Sequence, residues 1–330
     1  MRSPVRSKLW ACVGAFCAFA FATTAALAQN YPNRPITLVV PSSAGGPADT
    51  SARLIVDRLS AALGQQVVIE TAPGAGGTIG MGRVARAAPD GYTVLIHQNG
   101  FAITPAIYEK LNFNTAKDFV TVGLVNQSNT FIVGRKSLPA NTFAELAAWM
   151  KGPGKPAKYA HPGKGTNGHL QGLMLVRAIG TEVTYIPYRG IAPAVNDLLG
   201  EHIDVTQVGA AVAAPHIKAG NMKVYASTGI KRSPDFPDVP IMAEVGYKDL
   251  GRPFWHALFA PTGTPRAVLE RLNGALRETL KDPEVQKIYA RSQVESFPEN
   301  QLSIEAANSF VAEEIAAMAK VVRDNNVTAD

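Results

Sequence analysis

Ile36-Thr37-Leu38-Val39-Val40-Pro41-Ser42-Ser43-Ala44-Gly45-Gly46-Pro47-Ala48-Asp49 is the stretch from which the rest of the chain can be read. Its first five residues are apolar or β-branched, the composition of a buried strand. From about Thr50 to Leu63, the residues Leu54, Ile55, Val56, Leu59 and Leu63 recur at helical spacing. A loop of small residues therefore joins the carboxyl end of a strand to the start of a helix. Glycines let a ligand come close to the backbone, and a helix start offers unpaired N–H groups at a positive dipole end. Such a loop suits a carboxylate or phosphate. The same residues also suit a tight turn in which glycine serves sterically and Asp49 caps the helix.

The pattern repeats. Gln66–Glu70 is expected as a strand. A glycine-rich loop, Pro73 to Gly80, leads into a helix reaching about Ala88, and Tyr92–Ile96 is a third strand ending in His97-Gln98-Asn99-Gly100. Strand and helix alternating at this spacing predict α/β architecture with a parallel sheet. In such sheets ligands bind outside the carboxyl ends of the strands. A second unit starts near Phe131-Ile132-Val133. Thr142-Phe143-Ala144-Glu145 is a capping box. Lys158–Ala160 runs into Gly163-Lys164-Gly165-Thr166-Asn167-Gly168-His169, a second candidate anion loop. Tyr188-Arg189 stands at a third junction, where a guanidinium can fork onto a carboxylate. His216–Ala219 is expected as a helical turn, Trp255–Ala260 as a strand, and Thr264-Pro265 as the cap and first residue of a helix to about Lys281. A last helix, about Ser303 to Arg323, is expected to pack back on the first unit. The chain thus divides into a first domain of residues 29–130 plus 250–330 and a second of 131–249, with a cleft between them.

Composition narrows the function. Arg2, Arg6 and Lys8, an apolar run from Leu9 and the small-x-small pattern Ala26-Leu27-Ala28 predict a signal peptide over residues 1–28, cleaved after Ala28. The rival is a membrane anchor. Cys12 and Cys17 lie in that leader, so the chain from Gln29 can form no disulfide, thiolate metal site or cysteine nucleophile. Removing the leader takes three of the 32 basic residues and none of the 26 acidic, leaving a formal +3. That mild excess suits an exported solvated protein and gives little support to nucleic-acid binding. Gly80-Met81-Gly82-Arg83-Val84-Ala85 has the letters of a dinucleotide fingerprint but falls inside a helix. No P-loop, nucleophile elbow or zinc helix is present. The six histidines are dispersed, so no metal and no cofactor are expected.

These residues, in this order, resemble the periplasmic solute-binding proteins of tripartite tricarboxylate transporters, the Bug or TctC family. The resemblance runs from Tyr31-Pro32 and Arg34-Pro35-Ile36 through Ala44-Gly45-Gly46, Asp49, Pro73 to Gly80 and Pro89-Asp90-Gly91-Tyr92-Thr93. It continues with Gly163 to Leu170, Pro187-Tyr188-Arg189-Gly190, Asp197-Leu198-Leu199-Gly200, Asp238-Val239-Pro240 and Ala260 to Pro265. It implies a two-lobed, Venus-flytrap periplasmic protein, not an enzyme. The lobes would close on a small aliphatic or aromatic mono- or dicarboxylate and deliver it to membrane permease subunits. A monomer is expected. Carried over residue by residue, the first half-site comprises Ser42, Ala44, Gly45, Gly46, Asp49, Gly76, Gly77 and Thr78. The second comprises Gly165, Thr166, His169, Tyr188 and Arg189. Ser42, Thr71 and Glu201 depart from the family's commoner residues. The alternatives are a ligand-sensing module for a membrane receptor kinase and a secreted hydrolase.

Overall fold

The computed structural model describes residues 31–327 apart from 109 and 155. The expected leader, its cleavage after Ala28 and both cysteines lie outside the described residues.

Ile36–Val40 is strand β1, almost wholly buried, as a strand covered on both faces must be. Helix α1 spans Pro47–Leu63, starting before the expected Thr50. Pro47 takes the first helical position because its missing N–H belongs to the unpartnered first turn and its fixed φ suits the helix. Apolar spacing alone cannot show this, since residues 47 to 49 carry no large apolar side chain. Then follow β2 (Val67–Thr71), α2 (Thr78–Ala85), β3 (Thr93–Gln98), α3 (Gly100–Ile107) and β4 (Phe119–Ser128). Asn129 links β4 to β5 (Thr130–Arg135), which opens a second sheet. That sheet is built with α4 (Phe143–Lys151), β6 (Ala157–His161), α5 (Asn167–Ile179), β7 (Val183–Pro187), α6 (Ile191–Leu199), β8 (Val205–Gly209), α7 (Ala210–Lys218) and β9 (Met222–Ser227). The chain returns as β10 (Phe254–Pro261), α8 (Arg266–Lys281), α9 (Pro283–Arg291) and α10 (Ile304–Asp324).

The strand orders are β2-β1-β3-β10-β4 and β7-β6-β8-β5-β9. In each sheet three parallel strands are followed by an antiparallel one and its neighbour. Register then fixes where the sheets meet. His256 pairs with Gln98 and Phe254 with Ser128, so β10 begins and β4 finishes beside the carboxyl ends of β1–β3. Thr130 pairs with Gly209 and Phe131 with Ser227, so β5 begins and β9 finishes beside the carboxyl ends of β6–β8. Both crossings, through Asn129 and through 228–253, leave from those ends. The molecule is a two-lobed α/β protein whose strand-end loops face a common cleft.

The cores follow the two-residue strand period. Phe131 and Val133 pack on one face of the second sheet with Ala160 and Val208, while Ile132 packs on the other with Tyr159, Val205 and Tyr225. The first core takes Leu38, Leu95, Ile96, Leu258 and Phe259 from strands, and Val311, Met318 and Val322 from α10. Helix α10 therefore packs on the first lobe. Among the described residues, no helix is long and apolar enough to cross a membrane.

Three further differences from the expected elements have local causes. Thr264 is not a cap: its hydroxyl donates to Pro261 O at 2.7 Å, and Pro265 flanks the helix that starts at Arg266. Helix α7 extends far upstream of His216, because an alanine run gives no apolar stripe to read. Helix α5 starts at Asn167, two residues before His169, with Thr166 as its cap.

Candidate functional site

In the first lobe, β1 lies between β2 and β3, so three strand-end loops sit side by side. Asp49 organises the first. Its carboxylate accepts the Gly45 N–H at 2.8 Å and Arg53 Nε–H at 2.9 Å, and it is 1% exposed. The Arg53 contact, then the Gly45 N–H, hold this carboxyl below its ordinary range. One carboxylate oxygen, Oδ1, has no hydrogen-bond partner among the described residues. Gly46 precedes Pro47, and the helix start has no side-chain cap. A Cβ on Gly46 would lie 3.1 Å from Ser42 Oγ, a buried atom that also lacks a partner. Ser43, Ala44 and Gly45 are exposed.

The second loop leans on the first and on β3. Gly77 has φ +97°, and a Cβ there would lie 3.0 Å from His97 Nε2 and 3.4 Å from Pro41 Cβ. Only glycine combines that dihedral with that approach. A Cβ on Gly76 would meet the Tyr108 hydroxyl at 2.7 Å. Thr78 opens α2 and donates its N–H to Ala75 O. Beneath these glycines, His97 is 4% exposed and its Nδ1 accepts the Gln98 N–H at 2.9 Å. The neutral ring therefore carries its proton on Nε2, which is unpartnered, as is Gln98 Oε1. Burial, and then the nearby His256, push His97 down to about 3, so it is uncharged at neutral pH. His256 Nδ1 meets Asn126 Oδ1 at 2.8 Å, and Asn126 donates to Ser51 Oγ at 2.8 Å, which ties β10 and β4 to α1 behind the first loop.

In the second lobe, Thr166 Oγ1 donates to Gly163 O at 2.6 Å and accepts the His169 N–H at 3.4 Å. His169 Nδ1 accepts the Gly165 N–H at 3.1 Å, so its neutral ring also presents an Nε2 donor. His161 lies under it, ring centroids 4.4 Å apart. Burial, His161 and Lys164 push His169 down to about 4. Tyr188 is tied to this loop through its N–H to His161 O, at 2.9 Å. Its hydroxyl is engaged, donating to Asp197 Oδ2 at 2.5 Å. Burial, then Asp197, push that phenol up to about 12. Arg189 is exposed and, among the described residues, has no ion-pair partner. Across the cleft, a Cβ on Gly165, whose φ is +73°, would lie 2.7 Å from Ile107 of α3.

The structure thus brings Ser42, Gly45, Gly46 and Asp49 into one contact set, and Gly165, Thr166 and His169 into another. Gly76, Gly77 and Thr78 form a loop whose Gly77 abuts Pro41. Tyr188 turns its hydroxyl to Asp197, and Arg189 has no ion-pair partner among the described residues. His97, Gln98, His161 and the Asn126–His256 pair were not among the expected site residues. Strand-end position was the only available signal for His97 and Gln98; nothing local marks Asn126 or His256. A polar chain also runs along the crossings. Thr130 and Thr228 hydroxyls meet at 2.8 Å, Gln207 bonds both Thr130 and Gln171, and Gln171 donates to Arg252 O at 3.1 Å. Arg252 in turn pairs with Glu314, which also accepts Trp255 Nε1–H at 3.0 Å.

A family model described as the tripartite tricarboxylate transporter family receptor matches residues 51–327. A UPF0065 protein of the TAR-I ttuE-ttuC' intergenic region of Agrobacterium vitis is 38% identical over 296 residues, which cover 90% of this chain and 86% of the relative. The structure of periplasmic binding protein BugD is 38% identical with a TM-score of 0.76, over 90% of this chain and 99% of BugD. MatC from Rhodopseudomonas palustris, solved with bound malate, is 32% identical with a TM-score of 0.75, over 88% of this chain and 100% of MatC. An R. palustris protein solved with adipate is 30% identical with a TM-score of 0.77, over 90% and 99%. The family model begins at Ser51, so the reading of the first glycine loop rests on the contacts described above.

Proposed function

The chain belongs to the tripartite tricarboxylate transporter family of receptors, which are periplasmic solute-binding proteins and not enzymes, and on that premise we propose that it captures a small carboxylate by lobe closure and hands it to membrane permease subunits. The observation that carries this reading is the pairing of two glycine-rich strand-end loops, one per lobe, each ordered by its own internal hydrogen bonds. In the first lobe Ser42, Ala44, Gly45, Gly46, Gly76, Gly77 and Thr78 would surround one carboxylate. Asp49 holds that loop through Gly45, and its negative charge keeps it from being a direct carboxylate ligand. In the second lobe Gly165, Thr166 and His169 would meet the other end of the solute, with Arg189 supplying charge and Tyr188 held back by Asp197. Malate and adipate in the two R. palustris relatives support a carboxylate as the ligand. The lobes are assigned as 29–130 plus 250–330 and 131–249, acting as a monomer, and residues 1–28 as the leader for export to the periplasm.

Thermal unfolding of the Gln29–Asp330 protein against a carboxylate panel tests the reading. A ligand at 100 times its dissociation constant adds about 2.7 kcal/mol, which for a chain of this size raises the midpoint by about 5 °C. A shift confined to one carboxylate class is the expected outcome. A flat panel from folded, ligand-free protein would remove the carboxylate reading.

A further inference from the structure

His161 is the last residue of β6, buried beside the second-lobe glycine loop. Its ring lies close to parallel with that of His169, centroids 4.4 Å and planes 31° apart. Both rings turn the same nitrogen to the same loop. His161 Nδ1 accepts the Gly163 N–H at 3.3 Å, and His169 Nδ1 accepts the Gly165 N–H at 3.1 Å. Burial outweighs the opposing effect of the Gly163 backbone and lowers His161, while burial, His161 and Lys164 lower His169, so both rings are neutral at neutral pH. A neutral imidazole that accepts at Nδ1 carries its proton on Nε2. The pair therefore presents two N–H donors side by side, and neither Nε2 has a hydrogen-bond partner among the described residues. Tyr185 of β7 stands edge-on to both rings, at 6.1 and 5.8 Å, and braces their planes. A Cβ on Gly168 would lie 2.8 Å from Pro162 Cδ, so the first turn of α5, with its positive dipole end, packs on the same strand end.

We propose that His161 is a ligand-binding residue, forming with His169 a two-imidazole clamp whose Nε2–H groups hold the carboxylate at the second-lobe end of the solute. The clamp rests on the carboxylate reading above and adds a residue to its second half-site. Paired donors suit an acceptor-only group, which a carboxylate is. A metal ion fits them less well: bound at Nε2, it would move each proton to Nδ1 and break both loop bonds. Arg189 and Lys164 bring positive charge to the same end, and the imidazoles add direction without adding charge.

NMR of isotope-labelled histidine nitrogens in the Gln29–Asp330 protein reads both the tautomers and the contact. The expected spectrum at neutral pH has both rings protonated on Nε2, and titration with acetate, malate or adipate moves the Nε2 signals of both. Two substitutions then separate holding the loop from holding the ligand. In His161→Asn the side-chain carbonyl stands in for Nδ1 and keeps the Gly163 bond, but nothing reaches the Nε2 position. In His161→Gln an amide N–H reaches that position instead. Calorimetry with the tightest of the three acids should show His161→Asn weakening it about tenfold or more, the effect of losing one hydrogen bond to a charged group. His161→Gln should weaken it less. The reverse order would make His161 a support for the loop and overturn the inference. So would an Nδ1–H tautomer, or a His161 signal that stays still while an acid binds, and each of these leaves the carboxylate reading standing. Stoichiometric Zn²⁺ uptake by the two rings would overturn the clamp in favour of a metal site. Absence of binding by all three acids would overturn the clamp and the carboxylate reading together.

Discussion

Gly77 and His97 constrain each other, since the glycine needs a left-handed backbone and the imidazole fills the space a side chain would take. Gly77→Ala is expected to lower stability by about 1–2 kcal/mol from the dihedral alone, with steric contact added to it. Urea melts of Gly77→Ala, His97→Ala and the double variant check this. If the contact matters, the double variant loses less than the two single losses together. Asp49 gives a pH-dependent case. Its carboxyl is held low in the fold by Arg53 and then by the Gly45 N–H. Its stabilisation is therefore full above the unfolded value of about 4 and is lost as pH falls through the lower folded value. Asp49→Asn should flatten the acid limb of stability between pH 7 and 3, while an unchanged slope would mean that the pair contributes nothing measurable. Arg53 is exposed, so solvent screens the pair and the effect will be small. At this scale the sequence shows which glycines sit at strand ends. It cannot show that His97 lies under Gly77, because that contact depends on β1 and β3 being neighbours.

Elements whose apolar residues keep a regular period were readable, and those built on other principles were not. β1, β2 and β3 stand out as β-branched runs. β4 carries Thr121, Gly123, Asn126 and Gln127 within a buried strand, so its period is broken by polar residues that serve β10 and α1. β10 was readable as a strand, but its place between β3 and β4 comes from residues more than a hundred positions away. The helices that close the first lobe bring one buried charge with them. Glu314 of α10 accepts from Arg252 and from Trp255 Nε1–H, with its side chain 9% exposed. Glu314→Ala strips both partners, and a cost of about 2–4 kcal/mol is expected because a part-buried guanidinium is left unpaired. Chemical unfolding reads the loss. Glu314→Gln should restore part of it by keeping the Trp255 bond, and equal losses in the two variants would assign the whole effect to charge.

For the whole molecule, two lobes joined at their strand ends by two crossings make the angle between them the coordinate that the proposed closure would use. Small-angle scattering on the Gln29–Asp330 protein should give a smaller radius of gyration with saturating ligand than without, since contacts to both lobes favour the closed form. An unchanged radius at saturation would argue against closure. The second sheet is drawn from an unbroken run of chain, β5 to β9, whereas the first waits for β10 to slot between β3 and β4. During synthesis the amino-terminal strands therefore have a gap in their sheet until residue 261 has been made. A leading third that cannot complete its sheet early would suit the threading through a translocation channel that the export proposed above requires.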